Sequence, residues 1–439
     1  MKKLTYLMAT FFMLFPVIAG AQHECTMSPG ELFRLADSRN RDIGAADARI
    51  SVARQGEAVA RNAMLPQVNA SLTLSYLGDG TILDRDFGNP MRDRLPHFSN
   101  TLGVEVYQPV YTGGAITASI DMARKGTDLA ANDRIATVNN IRMALVTNYL
   151  ELAKSRNLLR VYDENISLTR RLIEEMRARH SQGIVLKNDI TRYELRLSSL
   201  EYDRLAAANA IDILNNNIIT MLGLDSDVRI IPDIDSGAEI AERMDAGEWL
   251  AAAAANAPAL RALGLSADMT GLQLKMDRAE YFPKVGLVAG DNFLGPVTFE
   301  VPALNKNYNA WFIGINVKWN ISSLFTTPKT THRHHLELGR ISVEREAVSA
   351  DLSRRLNEAL TLYHQSVERL DIERKNVQLA EENYTVVSNR FENQLALLTD
   401  MLDASNARLD ADVRLVNARI STQFYYYQLH FIAGTLISL

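Results

Sequence analysis

Four short stretches of this chain alternate apolar and polar residues with a period of two, and two very long ones repeat apolar residues every seven. From Gln67 to Leu77 the sequence runs Q-V-N-A-S-L-T-L-S-Y-L. Val68, Ala70, Leu72, Leu74 and Tyr76 therefore share one face of a strand, and Gln67, Asn69, Ser71, Thr73 and Ser75 the other. Trp311 to Trp319 repeats the pattern, with Trp311, Ile313, Ile315, Val317 and Trp319 on the apolar face. Tryptophans closing both ends of an aliphatic stripe suit a lipid-facing strand with interfacial anchors, and Tyr76 is a third such anchor. Thr101 to Gln108 alternates less cleanly, with Leu102, Val104 and Val106 outward and Glu105 inward. Lys284 to Phe293 is the weakest of the four, because Val285, Val288 and Gly290 blur the alternation.

The strands are placed near 67–77, 99–109, 284–294 and 309–319. One such strand would also fit a half-buried sheet in a soluble sandwich. Four, each about 9–11 residues long, have the length that crosses a bilayer. Yet four strands cannot close a barrel, and an open edge in lipid would leave backbone groups unpaired. The pattern thus predicts closure with strands borrowed from copies of the same chain, three copies giving twelve strands.

The seven-residue pattern predicts rods. From Ala115 to His180 there is no proline and a single glycine, Gly126. Val138, Leu145, Leu152, Leu159, Ile166 and Ile173 recur every seven residues, as do Leu356, Tyr363, Leu370, Val377 and Tyr384. Sustained heptads mean a supercoiled seam. A helix over 115–180 would span roughly 100 Å, far beyond any bilayer. Shorter helices near 40–64 and 189–222 would stack end to end along it. The leftover pieces, around 28–39 and 223–248, would wrap the rod as a girdle. A free coiled-coil stalk is the simpler alternative.

The two patterns are one pattern read twice. Gly103 and Gly314, Val106 and Val317, Arg179 and Arg390, and Asp189 and Asp400 pair at an offset of 211. Gly30-Glu31 pairs with Gly247-Glu248, and Pro66-Gln67-Val68 with Pro283-Lys284-Val285, at 217. Such a repeat dictates architecture. It divides the chain into a first copy over 22–235 and a second over 236–439, with second-copy helices near 330–391 and 399–436. Residues 1–21 read as a signal peptide: Lys2-Lys3, an apolar run from Leu4 to Ile18, then Ala19-Gly20-Ala21. Removing it takes the net charge from −5 to about −7, which disfavours nucleic-acid binding. No later run is apolar enough for a membrane helix. Cys25 is the one cysteine. Gln22-His23-Glu24 before it lacks the small apolar residues of a lipidation signal, so it reads as a free thiol in a mobile N-terminal tail.

Three further strings join this framework. They are Asn62-Ala63-Met64-Leu65-Pro66-Gln67-Val68; Gln108-Pro109-Val110-Tyr111-Thr112-Gly113-Gly114; and Arg390-Phe391-Glu392-Asn393-Gln394 followed by Leu398-Thr399-Asp400-Met401-Leu402-Asp403-Ala404. In their order and spacing they resemble the TolC family of outer-membrane efflux channels. The resemblance implies a mainly α fold with membrane β. It further implies a homotrimer with a twelve-stranded outer-membrane barrel on a periplasmic helical barrel. It also implies a periplasmic gate lined by acids, here Asp400 and Asp403, with Asp189 on the first hairpin. Two acids three apart share a helical face, and threefold symmetry would gather six carboxylates into a cation-favouring ring. Solvated surface acids are the plain alternative. The family ties its closed tip with an Arg and a Tyr on the second hairpin. Here those positions hold Ala396 and Phe391, with Lys187 or Arg192 as the available substitutes. The resemblance also implies adaptor docking at the hairpin tips, here Gly183-Ile184 and Gln394-Leu395.

His332, His334 and His335 cluster after the fourth strand but have only Glu337 as a nearby carboxylate. They read as a polar junction between barrel and rod, not a metal site. Tyr425-Tyr426-Tyr427 reads as packing. No phosphate-cradling loop, zinc-protease motif or nucleophile elbow is present, so the chain is expected to be neither an enzyme nor a cofactor binder. The expected function is passive export of small molecules such as drugs and toxins. They would be delivered by an inner-membrane transporter through a periplasmic adaptor. The alternatives are a protein-secretion duct, a metal-exporting duct resting on the histidines, and a periplasmic coiled-coil scaffold.

Overall fold

The computed structural model describes residues 23–233, 245–300, 302–393 and 395–439. The expected signal peptide at 1–21 and the docking residue Gln394 lie outside the described residues. Each copy contributes a hairpin to one antiparallel sheet and a long helix to one rod.

The chain opens with β1 (His23–Met27), α1 (Pro29–Arg39) and α2 (Arg41–Arg61), then enters the sheet as β2 (Gln67–Tyr76). A small hairpin, β3 (Gly80–Ile82) and β4 (Met91–Asp93), precedes β5 (Phe98–Tyr111). The first rod is α3 (Ala115–Ser181), returning as α4 (Lys187–Leu222) and β6 (Val228–Pro232). The second copy runs α5 (Ala246–Asn256), α6 (Pro258–Ala279), β7 (Lys284–Gly295), β8 (Tyr308–Lys318), α7 (Ser323–Glu392) and α8 (Leu398–Ala433). Helix α7 starts earlier than 330 and runs through Pro328. The proline sits in the second turn, where the one amide bond it forgoes lies close to the helix end.

The sheet order is β2-β5-β7-β8. Residues opposite one another in an antiparallel ladder share a face, so the register carries the apolar stripe across all four strands at the rung of Val68. Val68 faces Val106, Val106 faces Ala289, and Ala289 faces Ile313. Asp291 interrupts the stripe at the next same-face rung, opposite Val104 and Trp311. The strand that blurs the alternation is explained on the other face. A Cβ at Gly290 would fall 2.6 Å from the Phe312 ring, and one at Gly286 would meet the Tyr107 ring. Glycine is needed there because rings from adjacent strands lie flat across β7.

In the rod, the heptad residues Leu145, Leu152, Ile166, Leu356 and Tyr363 are buried. Helices α2 and α4, 21 and 36 residues long, cover about 85 Å between them. They stack end to end along α3. At the joint, Gly223 caps α4 with φ +61° beside the Arg39 carbonyl, and Asn40 Nδ2 donates to the Met221 carbonyl at 2.8 Å. The second copy repeats this joint: Gly434 caps α8 with φ +72° against Asn256. Both glycines supply the left-handed cap that ends a helix and allow the close approach.

The girdle surrounds these joints. Strands β1 and β6 pair in parallel, Cys25 opposite Ile230. This corrects the expectation of a mobile tail around Cys25, which is a half-buried free thiol fixed by strand pairing. Arg142, buried on α3, donates to the Leu436 and Ile437 carbonyls at 2.9 Å and to Asp37 at 2.7 Å. One guanidinium thereby joins α1 to the C-terminal segment.

Candidate gate and docking tips

Both hairpin tips turn in the same way. The amide of Ile184 donates to the Arg179 carbonyl at 3.1 Å, and that of Leu395 to the Arg390 carbonyl at 2.7 Å. Both bonds span five residues and end on residues related by the 211 offset. In the first tip this bond closes the helix C-terminus around a left-handed residue, Gly183 at φ +78°. His180 Nδ1 lies 2.7 Å from the Val185 carbonyl and fastens that first turn.

Behind the tips, the two hairpins share one apolar cluster. Leu172, Ile173, Met176, Ile190 and Tyr193 from the first pack on Tyr384, Phe391, Met401 and Ala404 from the second. Burial pushes the Tyr193 hydroxyl well above the ordinary tyrosine range. Phe391, one of the two substituted lock positions, is thus a buried packing residue, and Ala396 lies against the same cluster.

Asp189 and Asp400 occupy the third position of α4 and α8. Asp189 is half-buried, while Asp400 and Asp403 are exposed. The Asp400 carboxylate accepts the Leu397 amide at 3.0 Å, capping α8 where Leu397 has no oxygen of its own to offer. Arg192 holds, on the first hairpin, the place of Asp403 on the second. Among the described residues no ion pair engages Asp189, Asp400, Asp403, Lys187 or Arg192.

The expected docking residues Gly183, Ile184 and Leu395 are exposed at the tips. Beside them the sequence reading missed a second pair. Leu186 and Leu397 are each 70 % exposed and precede α4 and α8 at equivalent positions. The 211 offset was the signal that could have found them.

Of the expected membrane anchors, Tyr76 ends β2 stacked on His97 at 4.9 Å. Trp311 stands opposite Asp291 in the ladder. Trp319 lies just past β8, its indole N–H donating to the Tyr281 carbonyl at 3.2 Å. At the sheet base His334 sits 3.0 Å from Asp277, and His335 contacts Arg278. Among the described residues no group of three or more His, Cys, Asp or Glu gathers around a metal-sized space.

Residues 32–224 and 249–435 match the family described as Outer membrane efflux protein. Outer membrane protein TolC of Vibrio cholerae is 21 % identical over 396 residues, 88 % of this chain and 87 % of that one. The outer-membrane channel OprN has the same fold, with TM-score 0.77 and 16 % identity over 93 % of this chain and 90 % of that one. VceC, an outer membrane protein of Vibrio cholerae, superposes with TM-score 0.72 and 16 % identity over 93 % and 96 %. The chain therefore belongs to the outer membrane efflux protein family, as an outer-membrane channel with a large periplasmic part and a transport duct rather than an enzyme.

Proposed function

We propose that this chain is the exit duct of a tripartite efflux system. It would act as a homotrimer that passively exports small molecules, such as drugs and toxins, handed over by an inner-membrane transporter through a periplasmic adaptor. The observation that carries the reading is that sheet and rod are both left open at the same two edges. Strands β2 and β8 border the sheet. Helices run α2, α3, α6, α7 above the girdle and α4, α3, α8, α7 below it. The edge helices carry unpartnered apolar residues at heptad spacing: Val52 and Val59 on α2, Leu195 and Tyr202 on α4, and Leu336, Val343, Ile372, Leu379 and Val386 on α7. Joining β8 and α7 of one copy to β2, α2 and α4 of the next is a head-to-tail contact that closes into a ring. It pairs the strand edges that lipid cannot satisfy.

Asp400, Asp403 and Asp189 then form the constriction at the periplasmic end. Gly183, Ile184, Gln394 and Leu395, together with Leu186 and Leu397, meet the adaptor. The equivalent turns of the two tips support docking at both, giving six near-equivalent sites per trimer. The testing experiment is the mass of the detergent-extracted protein alongside its conductance in planar bilayers. A trimer with discrete, cation-selective openings is the expected result. A water-soluble, non-conducting protein would overturn the assignment.

A further inference from the structure

We propose that the polar face of the sheet carries a shelf that binds planar organic cations, built from Glu105 and the rings of Phe312 and Tyr107. The proposal rests on the reading of this face as the lumen of the duct, and it names the class of cargo the barrel would favour.

Glu105, Gly290 and Phe312 occupy one rung: Glu105 pairs with Gly290 and Gly290 with Phe312. The carboxylate and the ring therefore rise from the same face, two strand spacings or about 10 Å apart at the backbone. Gly290 leaves the space between them open. The Phe312 ring leans into that space, with a ring carbon 2.6 Å from where a Cβ on Gly290 would stand. The ring is itself exposed, at 44 %. Tyr107 lies two residues along β5 from Glu105, on the same face, and its ring covers Gly286 in the same manner.

Glu105 is exposed. By strand parity it is the only carboxylate that β2, β5, β7 and β8 turn to this face. The other ladder residue beside it is Asn69, which is neutral. The amines on this face, Lys284 and Lys318, are paired at the base of the sheet, three same-face residues further along β7, and Lys284 is held by Glu280 at 2.7 Å. A lone carboxylate sharing one face of the sheet with two aromatic rings on neighbouring positions matches a delocalised, planar cation. The rings contribute cation–π and stacking contact, and the carboxylate contributes charge. A small hydrated ion would gain only the second, and a neutral arene only the first.

The probes are N-methylquinolinium and its uncharged parent quinoline, added to the purified full-length protein in detergent. Binding is read by equilibrium dialysis, and current block is read in planar bilayers. Saturable binding of the cation is expected, with quinoline clearly weaker. Glu105→Gln should weaken cation binding about fivefold at low salt, with a smaller effect as salt rises. Phe312→Leu should weaken it about threefold, and Phe312→Tyr should retain it. Cation binding unchanged in both Glu105→Gln and Phe312→Leu would overturn the shelf, as would equal binding of quinoline. Conductance without saturable binding overturns the shelf and leaves the duct. Binding with the expected losses but without conductance overturns the duct and leaves the shelf.

Discussion

The guanidinium of Arg179 lies over the ring of Phe391, 5.0 Å from its centroid, tying the end of α3 to the end of α7. Phe391 is buried between the hairpins and Arg179 covers its outer side, so this contact seals the shared cluster at the tip. Phe391→Ala should cost the tip about 3 kcal/mol, and Arg179→Ala about 1 kcal/mol. Amide exchange should accelerate around 172–193 and 384–404 in both variants, more in the first, with the sheet unaffected. Equal protection in wild type and Phe391→Ala would show that the hairpins are held together elsewhere.

The acids of the candidate constriction call for a substitution that separates charge from capping. Asp400 accepts the Leu397 amide, so Asp400→Ala would remove a cap and a charge together, with a cap worth about 1 kcal/mol. Asp400→Asn with Asp403→Asn keeps an acceptor on α8 and deletes the charge. This double variant should lose cation preference and block by trivalent cations while melting near the wild-type temperature. Unchanged selectivity would return both acids to the role of solvated surface residues.

How far the sequence carried the fold depended on whether a feature was local. Heptads identified Leu145, Leu152 and Leu356 as buried because a coiled seam repeats within one helix. The offset of 211 likewise related the hairpin tips before any contact was known. Strand β7 was blurred because Gly286 and Gly290 answer to Tyr107 and Phe312 on neighbouring strands, and alternation within one strand carries no record of that. Arg179 and Phe391 were visible separately, but their meeting depends on how one hairpin is rotated against the other. Cys25 was misplaced because its order comes from β6, some two hundred residues away, and five residues offer little pattern of their own.

The paired joints give a comparison internal to one molecule. Gly223 and Gly434 both hold φ near +60° to +70°, but their surroundings differ. A Cβ at Gly223 would meet the Arg39 carbonyl at an ordinary 3.6 Å, whereas one at Gly434 would stand 2.6 Å from the Asn256 carbonyl. Gly223→Ala should therefore cost about 1 kcal/mol, the penalty of the left-handed conformation alone. Gly434→Ala should cost clearly more, because backbone must move as well. Thermal melts of the two variants that coincide would contradict the tight second joint.

Acid should loosen the girdle through His430. Its ring is packed edge-on against Trp249 at 5.0 Å and Tyr426 at 4.8 Å, with Nδ1 2.9 Å from the Thr435 hydroxyl. Burial pushes its pKa down to about 4, below the value of about 6.5 of a free histidine. Between those values the unfolded chain binds the proton more readily than the folded one. The stability contributed by the neutral ring is therefore complete above pH about 6.5 and is lost as pH falls toward about 4. His430→Gln should melt lower at neutral pH, having lost the ring contacts. It should also fall less steeply on acidification than wild type, so the two melting curves converge near pH about 4.5. Parallel slopes from pH about 7 to about 4.5 would place the acid-sensitive group elsewhere in the rod.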